Sequence, residues 1–282
     1  MCDTCGCNVT DANRNLIEAG GKHAKTEAGN EAVEVLQNLL HENNHRAAHN
    51  REHFDKHQVL AINLMSSPGS GKTALLEATI DALKNSSEAL SIAVIEGDLE
   101  TENDAQRIRD KHIPAIQITT GSACHLDAYI VHDALHELSL EGLDIVFIEN
   151  VGNLVCPASF DLGHHLNVTL LSVTEGDDKP AKYPVMFRAS NLILLTKSDL
   201  LAVLDDFDVT KAEENIRNLA NPAPVFQLSA RKNSVLEDHG MEAWINWLKQ
   251  QIQHYKSHLE SGETVLPKIQ TEGQTLHEAR VV

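Results

Sequence analysis

From residue 59 onward, short apolar runs alternate with amphipathic stretches. Nearly unbroken apolar runs fall at 59–65, 91–95, 115–118, 143–148, 168–173, 192–195 and 225–228. Segments with 3.6-residue periodicity lie between most of them, for example at 72–83, 104–111 and 124–138. Strands that alternate with helices predict βαβ units and a parallel sheet. Because the strands are apolar on both sides, helices are expected to cover both faces. The expected fold is α/β, a P-loop NTPase with a mostly parallel seven-stranded sheet. Ahead of it, Val33, Leu36, Leu39 and Leu40 predict a helix from about residue 30 to 57. Residues 8–30 are polar and without periodicity, which predicts a flexible linker. The expected organisation is an N-terminal arm over 1–30, one domain over 31–256, and a disordered tail over 257–282.

Composition narrows the setting. The chain has 282 residues, 42% of them apolar, and a formal net charge of −18. That charge repels nucleic acid and anionic membranes, so neither is an expected partner. No apolar run reaches the roughly 18 residues needed to span a bilayer, and no secretory signal is recognisable, so a cytoplasmic protein is expected. An odd set of five cysteines in a reducing compartment favours metal or redox chemistry over disulfides.

The strongest motif is Ser66-Ser67-Pro68-Gly69-Ser70-Gly71-Lys72-Thr73, between the first sheet strand and a helix. Gly69, Ser70 and Gly71 let backbone N–H groups close around phosphate oxygens at the positive end of the helix. Lys72 would reach the β- and γ-phosphates, and Thr73 would hold Mg²⁺. The motif's usual first glycine is Ser66 here. Thr196-Lys197-Ser198-Asp199 ends a later strand, where Asp199 can accept from guanine N1–H and N2–H₂ together. Adenine offers no such pair, so GTP is favoured over ATP. Ser229 and Ala230 end the next strand and resemble the supporting Ser-Ala element of guanine sites. Asp98 and Glu149 are candidates for Mg²⁺ and for the attacking water. Glu149-Asn150-Val151-Gly152 has the shape of an Asp-x-x-Gly switch, with the Gly152 N–H facing the γ-phosphate.

Three donor sets stand out for metals. Cys2, Cys5 and Cys7 form a compact thiolate cluster suited to zinc, copper(I) or nickel. Cys124, His125 and Cys156 flank the expected nucleotide-sensing loops and suit zinc or nickel with a fourth position open. His41, His45, His49, His53 and His57 recur every fourth residue, so neighbouring pairs share a helix face. The row drifts by about 40° per step at 3.6 residues per turn, so two or three weak pairs are the most it can form. A solvated polar face is the simpler reading.

Together these segments resemble one family, the hydrogenase nickel-incorporation GTPases among the nitrogenase-iron-protein-like P-loop GTPases. The likeness covers about residues 1–7 and 32–250. It is carried by the Cys2-x-x-Cys5-Gly6-Cys7 start, the phosphate loop, and Glu96-Gly97-Asp98. Gly121-Ser122-Ala123-Cys124-His125-Leu126-Asp127-Ala128, Glu149 to Pro157, Asp178-Lys179-Pro180-x-Lys182-Tyr183-Pro184 and Thr196-Lys197-Ser198-Asp199 complete it. The resemblance implies a slow GTPase that delivers nickel to the hydrogenase large subunit, working with a small zinc-containing maturation protein and as a GTP-dependent homodimer. It implies a high-affinity nickel site at Cys2, Cys5 and Cys7, and a nickel or zinc site at Cys124, His125 and Cys156. Members with histidine-rich segments also store nickel, but this chain has no long polyhistidine run. The urease-accessory GTPase is the nearest alternative and lacks the cysteine-rich start. A nickel storage protein with an idle nucleotide site is the alternative from another class.

Overall fold

The computed structural model describes residues 27–84, 90–98, 103–121, 123–231 and 239–269, with the side chains of 27–39 and 239 left aside. The expected N-terminal cluster Cys2, Cys5 and Cys7, most of the linker and residues 270–282 lie outside the described residues.

The described residues open with a long helix, α1 (Glu27–Lys56), and enter the sheet at β1 (Leu60–Ser66). It continues through α2 (Lys72–Lys84), β2 (Ile92–Asp98), α3 (Asn103–Arg109), β3 (Ala115–Thr119), α4 (Ala128–Glu137) and β4 (Ile145–Glu149). A 3₁₀ turn (Cys156–Ser159) leads to β5 (Leu166–Ser172), α5 (Lys179–Lys182), α6 (Pro184–Ala189) and β6 (Leu192–Thr196). A second 3₁₀ turn (Ser198–Ala202), α7 (Val209–Asn218), β7 (Val225–Gln227) and α8 (His239–Glu260) close the described chain. The strand order is β3-β2-β4-β1-β5-β6-β7, and every pairing is parallel.

Successive side chains of a strand point to opposite faces, and here both faces are buried. Leu60, Ile62 and Leu64 of β1 join Val94, Phe147 and Val168 against α2 and against Trp244 and Leu248 of α8. Ala61 of β1 joins Ala93, Val146 and Ile148 against Phe54 of α1 and Val131 and Leu135 of α4. Leu171, Ile193 and Leu195 pack on Phe187, Ala212 and Ile216 at the other end of that second face. Two-sided cover explains why these strands carry no polar alternation.

Two stretches depart from expectation. The segment read as a helix over 124–138 begins only at Ala128, because the Asp127 side chain accepts from the Ile130 N–H and caps it there. Cys124 and His125 therefore sit in the preceding loop. At the other end, helix α8 runs to Glu260 rather than giving way to a disordered tail at 257. Beyond it Val265 packs on the core, and the Lys268 carbonyl accepts from Asn167 Nδ2 at 3.1 Å. Tyr255 and Ile252 anchor the last turns of α8, so polar composition alone misreads this stretch.

Candidate functional site

The described candidates for nucleotide and thiolate-site binding gather at the carboxyl ends of the strands, where open parallel sheets bind ligands, whereas the histidine row lies on α1. The phosphate loop follows β1 in the centre of the sheet. Gly69 and Gly71 have φ of +75° and +96°, and a Cβ on either would meet nothing within 4 Å. Their glycines serve the left-handed backbone, not crowding. Lys72, nearly buried, donates from Nζ to Ser66 Oγ at 3.2 Å and lies 4.0 Å from Glu149 Oε1. Thr73 donates from Oγ1 to the same carboxylate oxygen at 2.9 Å.

Two cavities lie on either side of the loop. The first, about 320 Å³, is bounded by Ser70, Thr196, Lys197, Asp199, Ser229 and Ala230. Here Ser229 Oγ donates to Asp199 Oδ1 at 2.7 Å, and Arg231 approaches Asp199 Oδ2 at 3.4 Å. Lys197 adopts φ +57° and donates to the Gly69 carbonyl at 2.8 Å, while Thr196 Oγ1 donates to the Ser70 carbonyl at 2.7 Å. The strand end that carries Asp199 is thus pinned to the phosphate loop. The second cavity, about 340 Å³, is bounded by Lys72, Thr73, Glu96, Asp98, Glu149 and Gly152. It is the acidic end.

Two residues around the loop were given no role from the sequence, Glu96 being named only as part of a motif. Glu96 sits within β2, and register pairs it with Glu149 of β4. Burial, and then the Glu149 charge, push its carboxyl up to about 11. Burial likewise raises Glu149, against the pull of Lys72. The pair holds a proton at neutral pH, since like charges this deep cannot both ionise. Glu96 Oε2 and Glu149 Oε2 are buried with no hydrogen-bond partner. Two orphaned carboxylate oxygens beside the Thr73 hydroxyl are a donor set that fits a hard cation such as Mg²⁺. The second missed residue, Glu175, accepts from Ser70 Oγ and from the Ser172 N–H, and so buttresses the loop from the base side. A carboxylate inside an otherwise apolar strand was the available signal for Glu96; Glu175 offered none. Arg107 also borders the acidic cavity, held by Glu77 and Asp104.

Gly152 lies against the phosphate loop. A Cβ there would stand 2.8 Å from Pro68 Cα, so the segment after Glu149 can approach this closely only as glycine. The next residue bridges two sites. The Asn153 N–H donates to the Ser66 carbonyl at 2.7 Å, and its Nδ2 donates to the Cys124 carbonyl at 3.2 Å. Asn150 adds a second tie, accepting on Oδ1 from the Leu126 N–H at 3.2 Å.

Cys124, His125 and Cys156 come together across the loops after β3 and β4. Their donor atoms all lie within 4.8 Å of one another, the one such triad of His, Cys, Asp or Glu donors among the described residues. The two sulfurs are 3.3 Å apart, and Cys124 Sγ is 3.5 Å from His125 Nδ1. His125 is buried and stacks on Phe160 with centroids 3.9 Å apart. Burial lowers its pKa, which keeps the imidazole neutral and able to ligate. Two thiols and one imidazole form a three-donor set for a soft or borderline metal.

The family model described as CobW/HypB/UreG, nucleotide-binding domain, matches residues 60–227. The hydrogenase maturation factor HypB of Escherichia coli K12 is 49% identical over 231 residues, covering 82% of this chain and 77% of that protein. The hydrogenase/urease maturation factor HypB of Helicobacter pylori is 42% identical over 210 residues, covering 73% and 84%. The crystal structure of HypB from Helicobacter pylori in complex with nickel superposes with a TM-score of 0.69 at 40% identity, over 76% of this chain and 96% of that one. The hydrogenase maturation factor HypB from Archaeoglobus fulgidus superposes with a TM-score of 0.67 at 36% identity, over 76% and 100%.

Proposed function

The chain belongs to the CobW/HypB/UreG family of nucleotide-binding domains, and from that we propose that it is a GTP-hydrolysing nickel-delivery factor for hydrogenase maturation. The observation that carries this reading is the physical join between the nucleotide loop and the thiolate triad. Asn153 holds the Ser66 carbonyl by its main chain and the Cys124 carbonyl by its side chain.

Guanine would sit in the first cavity on Asp199, with Ser229 fixing that carboxylate. The triphosphate would follow the loop N–H groups into the second cavity, where Lys72 meets the β- and γ-oxygens. Mg²⁺, held by Thr73 and the carboxylates of Glu149 and Glu96, would offset the charge that develops on the phosphate oxygens. Asp98 borders the same cavity and serves to orient the attacking water. When the γ-phosphate leaves, the Gly152 N–H loses its acceptor. The segment then relaxes, and the Asn153 contact to the Cys124 loop changes with it. Nucleotide state and metal affinity at Cys124, His125 and Cys156 are thereby coupled, and the coupling is reciprocal.

Nickel is the cargo, with zinc a second occupant that the Cys124, His125 and Cys156 donor set also suits. A homodimer formed with GTP, a small zinc-containing maturation protein and the hydrogenase large subunit are the proposed partners, and the cytoplasm the proposed place. No helix among the described residues is long and apolar enough to cross a membrane. The test is a nickel titration of wild type, Cys2→Ala and Cys156→Ala, each with GDP and with a non-hydrolysable GTP analogue, alongside phosphate release from GTP. Expected are slow turnover, loss of the tight site in Cys2→Ala, and a nucleotide-dependent second site that disappears in Cys156→Ala. Equal nickel affinity in the two nucleotide states would overturn the coupling. Absence of turnover with intact nickel binding would make this a storage protein.

A further inference from the structure

The row of histidines on α1 has a counterpart that sequence separation hides. His132 and His136 stand one turn apart on α4, and α4 packs on α1 through Val131, Leu135 and Phe54. The His132 and His136 Nε2 atoms are 3.1 Å apart. Two imidazole nitrogens held about 2.1 Å from one metal ion stand roughly 3.0 to 3.4 Å apart, depending on octahedral or tetrahedral angles. The pair is therefore already at chelating distance.

The tautomer of His132 is fixed by its neighbour. Asn50 donates from Nδ2 to the Ala128 and Leu162 carbonyls, so its Oδ1 is the atom that faces His132 Nδ1 at 2.9 Å. His132 Nδ1 must donate there, which leaves the Nε2 lone pair directed at His136. An imidazole oriented by a hydrogen bond through its other nitrogen is the arrangement that metal-ligating histidines use. Across the helix interface, the His49 ring contacts the His132 ring with centroids 5.1 Å apart. His53 and His57 join His136 and Glu141 around an adjoining cavity of about 290 Å³. Arg46, whose charge is felt at His132, is turned over the Tyr129 ring.

We propose that His132 and His136 of α4 form a divalent-metal site, distinct from the Cys124, His125 and Cys156 triad, which His49 of α1 completes by a side-chain rotation, its ring already lying against His132. A donor set made only of imidazoles takes nickel, zinc or copper(II) rather than magnesium or calcium. On binding, His136 shifts its proton from Nε2 to Nδ1, so both Nε2 lone pairs face the ion and the hydrogen bond between the two rings is exchanged for two metal–nitrogen bonds with no net proton released. Without thiolates the site is weaker than the cysteine sites. It stands on the helix whose N-terminal loop carries Cys124 and His125, so it offers metal a holding point on this face of the domain. The inference does not depend on the nucleotide reading.

The experiment uses the full chain with all five cysteines changed to serine, titrated with Zn²⁺ while the histidine side-chain resonances are followed by ¹⁵N NMR. Binding of mant-GDP checks that each variant is folded. Expected is one equivalent of Zn²⁺ that shifts His132 and His136 together and is lost in His132→Gln/His136→Gln. His49→Gln should weaken it by about tenfold or more. Retention of that equivalent in the folded double variant overturns the site. Unchanged affinity in His49→Gln overturns its placement between the two helices.

Discussion

The two cavities that flank the phosphate loop are nearly equal in volume, yet they are prepared for their ligands in opposite ways. At the base side the polar side chains that line the cavity have partners before any ligand arrives, and only Glu175 Oε2, behind the loop, has none. Asp199 is held by Ser229, and Thr196 and Lys197 are tied to the loop backbone. At the phosphate side the polar groups frustrate one another. Glu96 and Glu149 share burial, each leaves an oxygen without a partner, and Lys72 and Thr73 lean on the same carboxylate. The lesson is that the base side is organised to recognise, whereas the phosphate side is organised to be completed. A buried group without a partner costs stability that a ligand can recover.

The sharpest way to separate the two sides is Lys72→Ala. GTP turnover should fall by about 10²- to 10³-fold, while mant-GDP affinity falls far less, because the base side is untouched; equal losses in both would erase the distinction. Asp199→Ala should act in reverse, weakening GDP by roughly 100-fold, since the guanine edge is left without its acceptor. Asp199→Asn should favour xanthine over guanine nucleotides in a competition assay.

Glu96→Gln tests the frustration itself. The folded carboxyl of Glu96 titrates at about 11 against 4.5 unfolded. The stability of its neutral form is therefore complete below about pH 4.5 and is lost as pH climbs toward 11. Nucleotide-free wild type should thus melt progressively lower as pH rises through that window, and Glu96→Gln should flatten the dependence. The same variant should need more Mg²⁺ for turnover, by about tenfold. A pH–Tm profile identical to wild type would show that the pair is not protonated.

Gly152→Ala places a methyl group 2.8 Å from the Pro68 backbone. Overpacking of this kind costs about 1–3 kcal/mol, and it should appear as weaker GTP-analogue binding with GDP nearly unaffected. The smallest effect belongs to Asn153→Ala. Nucleotide and nickel should each bind as before, but the change in nickel affinity between GDP and the GTP analogue should shrink by a few-fold, about 1 kcal/mol. An undiminished change would place the coupling elsewhere.

The base side and the thiolate triad were legible in the sequence because their chemistry lies at strand ends. Gly-Lys-Thr after an apolar strand, Thr-Lys-x-Asp after another and cysteines beside a switch glycine each announce a position. The sheet was legible for a related reason: strands buried on both faces have a distinctive composition. The role of Glu96 was not, because a carboxylate in an apolar strand marks the position but only the β2–β4 register reveals that it faces Glu149. Nor was the partnership of His49 with His132, which needs α1 packed on α4 across more than eighty residues of chain. Helix α8 runs past the expected start of the tail at 257 because Ile252 and Tyr255 bury among the core, a tertiary effect that local polarity does not register.

The three-donor character of the Cys124, His125 and Cys156 set has a kinetic consequence. A metal bound by three protein groups keeps a coordination position open to an incoming ligand. It can therefore leave by exchange, with a new bond forming before the old ones are all broken. The rate of release then rises with the concentration of the receiver's own donor atoms instead of being limited by spontaneous dissociation. For an ion held this way, tight holding and prompt hand-over would cease to be opposing demands: without a receiver it would stay, and with one it would move.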